Sequence, residues 1–265
     1  MSTDADDTKN KRGPRVRSVP AVTRAIAILR LLGRTSETMS LKTISQELDM
    51  VTSTCLHILR VLVDEGLVRV DVRTKHYSLG VGMLSLAKSV IDRNPFPTLV
   101  QPALDRIAGT WGLTTMGVEI ADHDHMVVLA LSRGQGPFSL HVDVGSRFPV
   151  LISATGRLVA AYNALAPKEL ERRFKALRWD QPPALRAWLD EVATAREQGY
   201  SIDRNTYING IIVAAVPLLD RRGHMTHSLV AAGVADRFTA AQSQHLAKEM
   251  QTEAQALTQL MATPR

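Results

Sequence analysis

The spacing of apolar residues over the first 80 positions predicts a series of short helices followed by two strands. Apolar residues recur every three or four positions in the helical segments, and two strand-like runs flank a polar turn. Ser18 and Ser40 stand where helix N-caps are expected, and Gly33 and Gly66 stand where helices end. The predicted elements are helices over residues 18–32, 40–48 and 52–65 and strands over residues 67–70 and 75–79. This order is typical of a winged helix-turn-helix, which we assign to residues 18–80.

The third predicted helix has an apolar side and a polar side. At about 100° per residue, one face collects the apolar side chains of Val51, Cys55, Ile58, Leu59 and Leu62. The opposite face, with Thr52 near the helix start, carries Ser53, Leu56, His57 and Arg60. An α-helix fits the major groove of DNA, where such side chains contact base edges and phosphates. The alternative is a solvated helix surface, which an outward leucine without a partner fits poorly.

Two neighbouring positions extend this candidate DNA-binding surface. The hairpin tip carries Arg73, Lys75 and His76, which suit contact with phosphates or the minor groove. Ser40, at the start of the second predicted helix, is also included among the predicted DNA-binding residues.

Positive charge is concentrated near the beginning of the chain. Eight Lys/Arg and no Asp/Glu occur between residues 8 and 36. Residues 1–80 hold 13 Lys/Arg against 9 Asp/Glu, whereas residues 81–265 hold 19 against 17. This asymmetry favours a polyanionic partner, double-stranded DNA, for the first domain. We expect residues 1–17 to form a basic arm that is disordered until it meets that partner.

Beyond residue 80 the pattern changes to strands framed by helices. Residues 81–96 predict a linker helix that ends at Asn94-Pro95-Phe96-Pro97, because two prolines in three residues stop a helix. Residues 97–265 then form a second domain. Its predicted helices cover residues 97–111, 153–163, 167–177, 183–198 and 239–261, and its predicted strands cover residues 114–120, 126–132, 138–144, 211–218 and 225–234. Short hairpin connections between the strands indicate an antiparallel sheet and an α+β fold.

One stretch of the second domain is a candidate anion site. Residues 152–157, Ile-Ser-Ala-Thr-Gly-Arg, are small and polar and open an apolar helix. The free backbone N–H groups at such a helix start can bind a carboxylate or a phosphate. An ordinary serine cap followed by a close-packed glycine explains the stretch equally well.

With these motifs in order, the chain resembles the IclR-type bacterial transcription regulators, named for the isocitrate lyase regulator. The similarity runs from about Ser18 to Met261 and rests on the order of several short segments. Those segments include Glu65-Gly66-Leu67-Val68, Tyr77-Ser78-Leu79-Gly80, Val144-Gly145-Ser146-Arg147-Phe148-Pro149, Gly156-Arg157 and Glu197-Gln198-Gly199-Tyr200. The resemblance implies a winged-helix N-domain and a GAF-like C-domain that binds a small organic acid. It also implies a homodimer formed through the N-domains, often paired into a dimer of dimers.

The resemblance also implies which residues bind the effector. They are the helix-start residues Ala154, Thr155 and Gly156, the acid Asp203, and the strand positions Val213, Val230 and Ala232. Family members usually carry a small or polar residue, often Cys, where Val213 stands, and often hydroxyls where Val230 and Ala232 stand. A Glu is usual where Thr206 stands. The pocket should therefore be more apolar here and favour a larger or aromatic acid over a two- or three-carbon acid. A Lys or Arg is common where Thr52 and His57 stand, so the operator sequence is not implied.

Several other functional classes are disfavoured by the sequence. The single cysteine, Cys55, allows neither an internal disulfide nor a cysteine-based zinc site. No apolar run approaches the roughly 18 residues of a membrane span, and the N-terminus lacks an apolar signal-peptide core. We therefore expect a cytoplasmic protein without a membrane partner or a cofactor.

We predict a transcription regulator, not an enzyme, whose operator affinity is modulated by a small organic acid. One alternative is a DNA-binding scaffold whose second domain only oligomerises. A less favoured alternative is a metal-dependent enzyme that uses His123-Asp124-His125 or His224 with His227, although both groups fall where solvated turns are expected.

Overall fold

The computed structural model describes residues 19–35, 37–121, 124–135, 140 and 142–262. The predicted basic arm, its neighbour Ser18 and His123 lie outside the described residues. The chain divides into two compact units, the first ending at Arg93 and the second beginning at Asn94.

The first unit combines short helices with a small sheet. Its elements are α1 (Pro20–Leu32), β1 (Met39–Ser40), α2 (Leu41–Glu47), α3 (Thr52–Asp64), β2 (Val68–Val70), β3 (His76–Leu79) and α4 (Gly82–Arg93). The strands pair antiparallel in the order β1-β3-β2. The helix-turn-helix and the wing thus form as the periodicity predicts. Strand β1 was not predicted, since two residues carry no detectable alternation.

Local caps and one apolar core hold this unit together. The Ser40 hydroxyl accepts the Thr43 backbone N–H at 3.1 Å and satisfies one free donor at the start of α2. Helix α1 begins with proline, whose fixed φ suits the first helical position. The core consists of Ile28, Leu32, Ile44, Cys55, Leu59, Leu62 and Val68. Burial raises the pKa of the Cys55 thiol, so this residue acts as a small neutral core group.

Two burial patterns that the sequence predicts in this unit are wrong. The helical spacing of α1 predicts one buried stripe of Val22, Ala25, Ile26, Leu29 and Leu32, but Val22 and Ile26 are exposed, whereas Ile28 is fully buried. Apolar residues surround most of α1, so its spacing alone does not select the packed side. Val51 is 71% exposed because it precedes α3 in extended backbone and is not on the helical wheel.

The second unit is an antiparallel sheet with helices against both faces. Its elements are α5 (Phe96–Trp111), β4 (Thr114–Ile120), β5 (His125–Arg133), β6 (Arg147–Pro149), α6 (Ser153–Tyr162), α7 (Pro167–Lys175), α8 (Leu185–Gln198), β7 (Ser201–Arg204), β8 (Ile211–Leu219), β9 (Met225–Val234) and α9 (Ala240–Ala262). The strand order is β6-β5-β4-β9-β8-β7, with every pair antiparallel. The predicted α+β fold class is confirmed.

The strand predicted over residues 138–144 is the main error in this unit. Residues 136–139 and 141 lie outside the described part, and residues 140 and 142–144 are not in a strand. The short strands β6 and β7 were not predicted. The helices and the other strands begin and end within two residues of their predicted bounds.

Alternation along β8 and β9 divides the second unit into two cores. Ala214, Val216, Leu229 and Ala231 face one way and pack with apolar residues of α5 and α9. The intervening residues face the opposite way and pack with α6, which contributes the fully buried Leu158. The N-terminus of α6 therefore lies on the side of the sheet that carries Val213, Val230 and Ala232.

Candidate DNA-binding surface and ligand cavity

Helix α3 presents a polar face to solvent and an apolar face to the core. Thr52, Ser53, His57 and Arg60 are exposed, and Leu56 is half-buried. Within the described part of the chain, the four exposed side chains make no ion pair or hydrogen bond with other residues. The donors on these side chains can therefore bind a partner, because no contact within the protein has to be broken first.

The wing has a tip that is ordered by its own backbone. The Asp71 carboxylate accepts the N–H groups of Arg73 and Thr74 at 2.8 and 2.9 Å. These bonds, that of Thr74 first, lower the pKa of Asp71. Arg73 and Lys75 are exposed beside this turn, while the half-buried His76 places Nδ1 at 2.8 Å from the Thr74 carbonyl oxygen. The two cations are free to reach phosphates, whereas His76 is engaged by the turn.

The second unit contains a cavity on the α6 side of its sheet. It holds about 560 Å³ of empty space, including the part that opens to solvent. Four of the predicted effector residues line it, namely Thr155, Val213, Val230 and Ala232. Apart from Ser153, Thr155 and Tyr207, the lining side chains are hydrocarbons or thioethers. This lining favours an apolar ligand body.

The start of α6 contributes Ser153 and Thr155, two of the three polar side chains of the lining, and is called here the polar end of the cavity. The Gly156 N–H donates to the Ile152 carbonyl oxygen at 2.9 Å, so the N–H groups of residues 153–155 precede the first bond of the helix. A Cβ on Gly156 would lie 1.9 Å from the Leu151 carbonyl carbon, which only glycine tolerates. Ala154 and Gly156 are buried but do not contribute to the lining.

Asp203 lies beside the cavity and contacts two elements that border it, the loop after β7 and helix α6. It pairs with Val213 across the strands, and its Oδ1 accepts the Thr206 N–H at 3.2 Å. Residue Thr206 opens the loop that carries Tyr207, a lining residue. Asp203 is 2% exposed, so it serves here as an anchor for the cavity wall and not as a lining side chain.

The second contact of Asp203 is with α6. Its Oδ2 lies 3.9 Å from Nη1 of Arg157, whose side chain is 3% exposed and whose Nε donates to Glu191 of α8. Neither Oδ2 nor Nη1 has a hydrogen-bond partner within the described residues. A buried pair at this distance orients the two elements but leaves part of its desolvation cost uncompensated.

Sequence reasoning missed several lining residues. Met116 and Val118 alternate on β4, so strand periodicity carried a signal for them. Phe148 and Tyr207 lie on a three-residue strand and in a loop, where no periodicity marks a pocket.

The histidines of the alternative metal sites that the structure describes have other neighbours. His224 lies 3.8 Å from the Asp220 carboxylate, and the His227 ring stacks on Phe96 with centroids 4.1 Å apart. Burial lowers the pKa of His227 to about 4, so its imidazole is neutral near pH 7. No group of three or more His, Cys, Asp or Glu among the described residues is placed to hold a metal ion.

A winged helix with an open polar recognition face, joined in one chain to a separate cavity-bearing sheet domain, defines a class: DNA-binding transcription regulators. Residues 21–72 match the IclR helix-turn-helix domain, and residues 88–259 match the C-terminal domain of the bacterial transcriptional regulator IclR. The chain therefore belongs to the IclR family of bacterial transcriptional regulators, as its sequence predicted. The family and the related curated proteins are regulators, not enzymes.

Related proteins agree with this assignment. The chain is 27% identical over 227 residues to the transcriptional repressor AllR of Salmonella typhimurium, covering 83% of this chain and 81% of that protein. The AllR repressor of Escherichia coli K12 is 25% identical over the same length, covering 83% and 82%.

Solved structures share the fold. A regulator from Alicyclobacillus acidocaldarius has a TM-score of 0.76 at 24% identity, covering 92% of this chain and 99% of that one. An IclR homologue from Microbacterium hydrocarbonoxydans, complexed with 4-hydroxybenzoate, has a TM-score of 0.72 at 17% identity, covering 90% and 98%. Among the described helices, none combines the length and the apolar character that a membrane crossing requires.

Proposed function

We propose that this transcription regulator binds a small organic acid in the cavity and that the bound acid changes its affinity for an operator. The observation that carries the proposal is the apolar cavity whose polar end is the N-terminus of α6. By linkage, the acid must bind the DNA-bound and DNA-free forms with unequal affinity.

An aromatic or longer monocarboxylic acid fits this cavity best. The free N–H groups of residues 153–155 and the positive end of α6 favour a carboxylate there. Val213, Val230 and Ala232 offer no hydroxyl or thiol to a second polar group, so a small oxoacid would find few partners for its other oxygens on the strand side of the cavity. The 4-hydroxybenzoate bound to the related Microbacterium regulator supports the same ligand class. Ala154, Gly156 and Asp203 complete the proposed effector site as shaping and anchoring residues.

The operator is proposed to lie against α3 and the wing. The proposed contacts are Ser40, Thr52, Ser53, Leu56, His57, Arg60, Arg73, Lys75 and His76. Helix α3 would enter the major groove, with each protomer reading one half-site. The exposed, unengaged donors of α3 support this arrangement.

We expect benzoate and 4-hydroxybenzoate to bind at least about tenfold more tightly than pyruvate or glyoxylate, because burial of an aromatic ring contributes well over 1.4 kcal/mol. Calorimetric titration measures the affinities of the protein for these acids.

Genomic fragments retained by the protein supply the operator. The affinity of the protein for this operator is then compared with and without each acid. Tighter binding of pyruvate or glyoxylate would overturn the ligand class. If acids bind but operator affinity stays constant, the scaffold alternative is favoured.

The functional unit is proposed to be a homodimer formed through the first units. Within that unit, α4 has no buried residue, and four of its side chains with the preceding Val81 are 57 to 82% exposed, namely Leu84, Leu86, Val90 and Ile91. Helix α1 adds the exposed Val22 and Ile26, and the exposed Val19 directly precedes it. Apolar side chains exposed in this number are typical of a protein–protein interface. A second copy of the chain would cover them.

Sedimentation tests this interface. We expect the native protein to sediment as two or four chains of 29.1 kDa each. Replacing Leu84 and Ile91 by Glu places charges on the apolar helix and should release single chains or halve the assembly. Ser89→Glu, an acidic change at an exposed position about 140° around the same helix from Leu84, is the control and should leave the assembly intact. An assembly that survives the double change contradicts the proposal.

A further inference from the structure

Ser153 combines three features that the fold alone does not require. It lines the cavity, it is 4% exposed, and its Oγ has no hydrogen-bond partner within the described residues. Its backbone φ is +57°, in the left-handed region that favours glycine. A buried hydroxyl without a partner and a strained backbone each cost stability. Such costs concentrate where a protein binds a ligand.

The position of Ser153 determines what its hydroxyl can bind. Ser153 is the first residue of α6, so its side chain and the N–H groups of residues 153–155 lie at the same helix end. Those N–H groups can only donate, and they favour a negatively charged acceptor. A hydroxyl can donate as well, and it can rotate to aim its hydrogen at that acceptor.

We infer that the Ser153 hydroxyl donates a hydrogen bond to the carboxylate of the acid in the cavity. This assignment rests on the proposed function and names a binding residue that the resemblance did not imply. The carboxylate then sits at the start of α6, and the apolar body of the acid extends towards Met116, Val118 and Val230. The strained backbone of Ser153 then has a role in binding, because this conformation holds the hydroxyl at the polar end of an otherwise apolar cavity.

Two substitutions separate a binding role from a structural role. Ser153→Gly removes the hydroxyl and suits the positive φ, whereas Ser153→Ala removes the hydroxyl and keeps the strain. Neither variant loses a hydrogen bond within the described protein. Without ligand, the melting temperature of the Ser153→Gly variant should therefore not fall. The melting temperature of the Ser153→Ala variant should fall by less than about 4 °C. Ser201→Ala is the matched control, since Ser201 is a buried serine that does not line the cavity.

The probes are benzoate and 4-hydroxybenzoate, with toluene as an apolar ligand that lacks a carboxylate. Both Ser153 variants should bind the two acids about 10- to 100-fold more weakly than the native protein, because a hydrogen bond to a charged group is lost. Toluene affinity should change less than about threefold, and Ser201→Ala should bind all three probes as the native protein does.

Three other outcomes would contradict the assignment of Ser153. If the native protein binds an acid and both variants bind it equally well, the assignment of Ser153 is overturned while the proposed function stands. An equal loss of acid and toluene affinity also overturns it, because the cavity itself has then changed. If the native protein binds neither acid, the proposed ligand class fails and the Ser153 assignment fails with it.

Discussion

Replacing Arg60 by Ala is expected to weaken operator binding by roughly 5- to 150-fold, because one good contact to a base is worth about 1–3 kcal/mol. Arg60 is exposed on the polar face of α3 and makes no ion pair within the described residues. Its guanidinium can form two hydrogen bonds with one guanine edge, which Ala cannot replace. The loss should depend on sequence and be greatest for sites that carry the native base pair.

The measurement is the affinity for the selected operator and for a random duplex at two salt concentrations. A phosphate contact would weaken both duplexes equally and lower the salt slope by about one. Arg186→Ala is the control, because Arg186 is an exposed arginine of α8 in the second unit. Equal operator affinity for native protein and the Arg60 variant removes this residue from the proposed surface.

Replacing Gly156 by Ala is expected to destabilise the second unit by more than about 4 kcal/mol, the range of exceptional substitutions. The added Cβ would lie 1.9 Å from the Leu151 carbonyl carbon and 2.0 Å from its oxygen. Backbone atoms cannot turn aside as a flexible side chain can, so α6 must shift. At about 2–4 °C per kcal/mol, the melting temperature should fall by more than about 8 °C. Acid binding should be lost as well, since the polar end of the cavity moves.

Gly109→Ala is the matched control for this change. Gly109 is an exposed residue inside α5, and its added Cβ would meet nothing within 4 Å. A helix-interior glycine replaced by alanine gains about 0.5–1 kcal/mol, so this variant should melt slightly higher than the native protein. Thermal unfolding followed by circular dichroism compares the two. A Gly156 variant that melts within about 2 °C of the native protein would contradict the close packing.

The two units of this regulator suit two different partners. The open donors of α3 suit DNA, and the apolar cavity with its helix-start donors suits an aromatic acid. Family membership accounts for the DNA partner. The departures at Val213, Val230 and Ala232 account for the proposed preference among acids.

The DNA-binding unit was predictable from local signals. Helical spacing, the Ser40 cap and the glycine after α3 each specify structure within a few neighbouring residues. The exposed face of α3 followed from the same period. The errors at Val22 and Ile26 arose because α1 carries apolar residues around most of its circumference, and only its neighbours choose which side is buried.

The cavity was predictable only in part. The resemblance implied Val213, Val230 and Ala232, and the structure places all three on the side of the sheet that α6 covers. The resemblance grouped Asp203 with the ligand residues, whereas the structure turns its carboxylate towards Thr206 and Arg157. That choice depends on the register between β7 and β8 and on the placement of α6, which no local pattern encodes.

The sequence by itself determined the order of the helices and longer strands, the polar face of α3, the antiparallel sheet and the family, because each depends on short-range periodicity or on motifs in sequence. The tertiary structure alone decided that Ser153 has a positive φ and a buried hydroxyl without a partner among the described residues, and that Tyr207 lines the cavity. The reason is physical: a cavity exists where residues far apart in the chain fail to fill the space between them. The shape of that space is a property of their packing and not of any single segment.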